Sequence, residues 1–153
     1  SHLYGYYHPR GKSSIDNHTL VDHRMPNCNS NELYKGVIDE SGTATFNGKI
    51  FVQQDAQKTN AFQSNKNILL TETGTVNTKP QLEIYADDVK CSHGSSTGVL
   101  DPEQVFYLRS RGLRLEKARA LLLGAYAGEI LEQIEDPILR EKLLLKIEQR
   151  IQA

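Results

Sequence analysis

Apolar and polar residues alternate in short runs along the first two thirds of the chain and recur at helical spacing in the last third. The alternating runs are rich in β-branched and aromatic residues. They predict strands at YKGVID (34–39), TATFNG (43–48), KIFVQQ (49–54), NILLTET (67–73), QLEIYAD (81–87) and DVKCSH (88–93), with Gly, Asn, Asp and Ser between them. Val37, Phe51, Leu69 and Ile84 mark strand centres 14, 18 and 15 residues apart. A loose repeat of short strands is the pattern of a β-solenoid. A sandwich would place tight hairpins at closer spacing. Asn47-Gly48 is the one dipeptide that fits a two-residue hairpin loop, so pattern alone leaves solenoid and sandwich or barrel open.

From Asp101 onward the period changes to helical. Asp101 can cap, Pro102 fits the first helical position, and Gln104 occupies the third position of a capping box. This helix is expected to end near Arg111, with Gly112 beyond it. A second is expected from Leu115 to about Ile134, with Leu115, Ala118, Leu122, Ala125, Tyr126 and Ile130 on one face. Asp136-Pro137 opens a third, with Leu139, Leu143, Ile147 and Ile151 in an i, i+4 stripe and Leu144 beside it. Gly124 and Gly128 have the spacing of a small-residue contact, or are two tolerated glycines at about 1 kcal/mol each. Leu121, Leu122 and Leu123 point three ways around the helix, so some of them must meet the strands or another chain.

Composition sharpens the division. All nine Asn and all nine Thr precede residue 100, whereas eleven of the 18 Leu lie in the last 53 residues. The two parts are therefore assigned as strands over 1–98 and a helical domain over 101–153. The formal net charge of −1 gives no electrostatic footprint for nucleic acid. No apolar run approaches the roughly 20 residues of a membrane span, and SHLYGYYHPRG is not a signal peptide. The absence of an initial Met suggests a piece of a longer protein. Cys28 and Cys91 do not form a disulfide framework, and free thiols in a reducing cytoplasm are expected.

Cys91 and His93, in DDVKCSHG (87–94), are the principal candidates for chemistry. Residues i and i+2 of a strand share a face, about 6.6–7 Å apart. The pair is either a core thiol beside an ordinary histidine or half of a metal site, since a closed tetrahedral site needs four ligands. His18, His23 and Cys28 fit no zinc spacing and read as rung or loop positions. Asp87 and Asp88 point to opposite faces and mark a turn. Arg109, Arg111 and Arg114 either complement a helix C-terminus or form a basic patch for an acidic partner. No phosphate-binding G-x-x-x-x-G-K-[ST] loop occurs.

Three longer strings are specific: FNGKIFVQQDAQKTNAFQSNKNILL, LEIYADDVKCSHG and FYLRSRG. In this order the chain resembles the SufB/SufD family of iron–sulfur cluster assembly scaffolds, and the Lys-Cys-Ser-His-Gly form looks like that of SufD-type members. The resemblance implies a mainly β fold, a right-handed parallel β-helix followed by a small C-terminal α-helical domain. It implies a non-catalytic scaffold subunit that pairs with a SufB-like subunit and docks a SufC-like ATPase. Cys91 and His93 would then face a transient iron–sulfur cluster at the subunit interface, His93 most directly. Phe106, Tyr107, Arg109, Arg111, Leu121 and Leu122 would meet the partner. The resemblance implies no tightly bound cofactor; flavin belongs only to the full complex. The open end of the coil leads us to expect a homodimer of this fragment. The rival readings are a β-helix enzyme on polysaccharide, using His93 with Asp87 or Asp88 and Lys90, and an adaptor with no metal role. The lack of Trp leaves the enzyme without an obvious sugar-stacking groove.

Overall fold

The computed structural model describes residues 1–152. Seven strands come first: β1 (His2–Tyr7), β2 (Ser14–His23), β3 (Asn29–Ile38), β4 (Thr43–Val52), β5 (Asn60–Leu69), β6 (Thr75–Ile84) and β7 (Lys90–Gly98). Three helices follow: α1 (Pro102–Ser110), α2 (Leu115–Leu131) and α3 (Pro137–Gln152). Strands of odd number form one sheet, β1-β3-β5-β7, and those of even number the other, β2-β4-β6. Every ladder is parallel. The chain thus climbs as a parallel β-helix, one strand per half-turn, and the sandwich and barrel are ruled out. Stacked partners lie 29 residues apart at His2↔Asn31 and 32 apart at Thr43↔Thr75. Val37, Phe51, Leu69 and Ile84 fall on four consecutive strands, so the loose sequence repeat is the half-turn.

The strand limits differ from those expected. TATFNG and KIFVQQ are one strand, β4, and Asn47-Gly48 lies in its middle rather than at a hairpin. Its alternation buries Ala44, Phe46, Ile50 and Val52 inside the coil. β5 begins at Asn60 and β6 at Thr75, both earlier than predicted, and β1 and β2 were not anticipated. The reason is the polarity of the coil interior. Ser30, Glu32, Gln63, Asn65 and Asn67 are buried there. Ser30 meets His23, Gln63 bonds Glu32, and the two asparagines join Tyr7: Tyr7 Oη donates to Asn67 Oδ1 at 2.6 Å, Asn65 Nδ2 to Tyr7 Oη at 2.9 Å, and Asn67 Nδ2 to Asn65 Oδ1 at 2.8 Å. Buried polar groups satisfied in this way are tolerated.

Asp101 caps α1 through Glu103 N, and Asp136 caps α3 through Ile138 N at 2.8 Å. α2 stops at Leu131, short of Ile134. Its buried residues are Ala118, Leu123, Ala127, Ile130 and Leu131, so the buried face runs through Leu123 and Ala127 rather than Leu122 and Ala125. Ala127, Leu131 and Ile147 form the helical core with Tyr6, Leu143, Leu144 and Ile151, while Leu139 is exposed. A Cβ at Gly124 or Gly128 would meet nothing within 4 Å, so the two are not a close-contact pair among the described residues. α2 lies on the outer face of β1 and β3. Lys35, on β3, is buried there; its Nζ donates to the Tyr126 carbonyl at 2.8 Å, pairs with Glu129 and sits 4.1 Å from the Tyr126 ring centroid.

Candidate functional site

The site begins with register. β7 pairs with β5 on one side only and is the edge strand of its sheet. Cys91 stands over Ala61 and His93 over Gln63, both inward-facing positions of β5. The thiol and the imidazole therefore share the inward face of the last half-turn. Cys91 is half-buried against the apolar cluster that includes Ala61, whereas His93 is exposed because no further turn covers it. Burial pushes the Cys91 thiol up, against a smaller opposing effect of the Ala61 backbone hydrogen bond. This thiol is protonated at neutral pH and is a poor nucleophile unless a neighbour draws its proton.

Among the described residues, no group of three or more His, Cys, Asp and Glu could close around a metal ion. Cys91 and His93 place a thiol and an imidazole at an open edge. Asp87 and Asp88 are exposed in the bend before β7, the turn role expected of them. His18 faces outward and meets Asp16 at 3.0 Å, while His23 faces inward with Nε2 2.9 Å from Ser30 Oγ. The two histidines and Cys28 do not converge on one another.

One feature of the site was not visible in the sequence. Beneath His93 in the same column lie Gln63 and then Glu32, register partners in successive turns. Gln63 Nε2 donates to Glu32 Oε2 at 2.7 Å. Pairs some 30 residues apart become neighbours only through the coil. The signal that could have found them is a polar residue recurring at each turn in an inward position.

The expected partner residues separate into two places. α1 buries none of its residues, and Phe106 is 74% exposed. Phe106 and Arg109 line a groove of about 510 Å³ with Leu69, Val99, Leu100 and Val105. Tyr107 is exposed and accepts a hydrogen bond from Arg111 Nη2 at 3.1 Å. Leu121 is exposed and Leu122 half-buried on α2, outside this groove. Leu123 is buried, so the three leucines do point three ways. No described helix is long and apolar enough to cross a membrane.

Strand register, edge and docked helices together define a parallel β-helix protein with a C-terminal helical unit. Residues 1–126 match the family described as SUF system FeS cluster assembly, SufBD core domain, and the chain belongs to that family. It is 46% identical over 136 residues to the iron–sulfur cluster assembly protein SufD of Escherichia coli, covering 89% of this chain and 32% of that protein. It is 48% identical over 124 residues to an iron–sulfur cluster assembly SufBD family protein of Synechocystis, covering 81% of this chain and 27% of that one. SufD of Bacillus subtilis is 29% identical over 142 residues, 93% of this chain and 32% of its own length. The chain thus spans about a third of the length of the relatives it matches.

Proposed function

We propose that this chain is the scaffold portion of a SufD-type subunit in SUF-type iron–sulfur cluster assembly, with the cluster as its transient cargo. In this reading the coil end and edge strand β7 pair with a SufB-like subunit. The exposed face of α1 and α2, with Phe106 at its centre, docks a SufC-like ATPase. The chain itself catalyses nothing; Cys91 and His93 complete a ligand set begun by the partner. The observation that carries the reading is the placement of these two donors at an uncovered edge in a chain of this family. A half-buried thiol and an exposed imidazole at the end of one coil suit a site closed by another.

The test is His93→Ala in the assembly reconstituted with both partners. The variant should keep its melting temperature within about 2 °C, as expected of an exposed side chain, and lose most of its cluster formation. Wild-type iron and sulfide incorporation by His93→Ala would favour a pure adaptor, which shares the fold and lacks the metal role.

A further inference from the structure

Leu3, Glu32, Gln63 and His93 are register partners in successive turns and stack along the coil on its inward face. Glu32 is fully buried and Gln63 is 3% exposed. The bond from Gln63 Nε2 to Glu32 Oε2 fixes the amide: its nitrogen serves the carboxylate, and Oε1 is left over. Neither Gln63 Oε1 nor Glu32 Oε1 has a partner among the described residues. A bare buried acceptor carries its full desolvation cost, so this position calls for a donor. His93 stands one strand spacing away, about 4.8 Å along the column. Gly48 on the opposite wall gives the amide its room, since a Cβ there would collide with Gln63.

We propose that Gln63, oriented by Glu32, is the positioning residue of His93: its free Oε1 accepts the N–H of one ring nitrogen. The other nitrogen then keeps its lone pair and faces out of the coil end, where a ligand or the partner subunit would meet it. Imidazoles that bind metals are commonly held this way, the second nitrogen bonded to a carbonyl or carboxylate that fixes the tautomer. The inference rests on the proposed role of His93, but its geometry can be tested apart from that role.

The experiment uses the full-length protein labelled with ¹⁵N-histidine. Two-bond ¹H–¹⁵N spectra of the neutral ring report the tautomer, and His93→Gln assigns the signal. We expect a single tautomer in the wild type and a mixture in Gln63→Met, which keeps the length of the side chain but removes its oxygen. Gln63→Met should also lower cluster formation about 10-fold in the reconstituted complex. A mixed tautomer in the folded wild type overturns the proposal, as does a folded Gln63→Met variant whose tautomer is unchanged. If Gln63→Met does not fold, the wild-type spectrum alone decides. A single tautomer that Gln63→Met abolishes, together with full cluster formation by His93→Ala, supports the contact and removes the assembly role. A mixed wild-type tautomer with a deficient His93→Ala does the reverse.

Discussion

His8, between the coil and α3, and His23, inside the coil, are both buried. Burial holds the His8 imidazole below its usual pKa; Arg150 pushes the same way and Asp39 opposes. Burial does the same to His23, with Asp22 opposing. Both ring nitrogens of His8 lack a partner among the described residues, so the ring has no acceptor to stabilise a second proton. The unfolded chain accepts that proton at an ordinary value of about 6.5, and the folded chain resists it. Below about 6.5 the unfolded state therefore binds more protons, and stability falls as pH falls toward the depressed folded values. We expect the melting temperature to drop between about pH 7 and pH 5.5, and His8→Gln/His23→Gln to flatten that drop. A wild-type profile flat over this interval, or a double variant as steep as the wild type, would contradict the assignment.

Strands show where backbone space, rather than side-chain chemistry, sets the limit. A Cβ added to Gly36 on β3 would lie inside the Tyr7 ring and the Asn67 amide. Those two groups belong to the Tyr7–Asn65–Asn67 hydrogen-bonded set, which has no slack to give. Gly36→Ala should destabilise the fold by about 1–3 kcal/mol, as overpacking a filled interior does. Chemical denaturation would measure it, and a change below about 0.5 kcal/mol would mean the column can shift. The same buried amides explain what could be read from the sequence. β4 was legible because its inward residues are apolar, although Asn47-Gly48 divided it in two. β5 was mostly illegible because Gln63, Asn65 and Asn67 look like loop residues until the coil stacks them. Asp101, Pro102 and Asp136 announced their helices, since capping is local. The buried face of α2 was right at Ala118 and Ile130 and misplaced at Leu122 and Ala125, because packing against β1 and β3 decides it. Cys91 and His93 were legible as neighbours in one strand, but Gln63 and Glu32 beneath them were not.

At the scale of the molecule, a buried cation ties the helices to the coil beside the packing of Tyr6 against α2 and α3 and the bond from Arg150 to the His8 carbonyl. Lys35 faces outward on β3, the strand whose inward face carries Glu32, and reaches the Tyr126 carbonyl, Glu129 and the Tyr126 ring on α2. Lys66 of β5 adds a longer contact to Glu129, 3.5 Å. The Lys35 hydrogen bond holds the Glu129 carboxyl below its usual range, so this contribution to docking is present above that range and is lost as acid reprotonates the group. Glu129 is nearly half exposed, and the pair's own worth is therefore modest. The carbonyl contact is the larger loss: the Tyr126 oxygen keeps its intrahelical donor, but Lys35→Met removes its charged second hydrogen bond, at about 1.5–3 kcal/mol. Native-state hydrogen exchange locates such a loss. In Lys35→Met the amides of α2 and α3 should exchange about 10-fold faster or more, while the β4 and β5 ladders, whose bonds the lysine side chain does not touch, keep their protection. Uniformly faster exchange would mean that coil and helices open as one unit. Unchanged exchange in α2 would mean that the apolar contact of Ala127, Leu131 and Tyr6 holds the helices without the lysine.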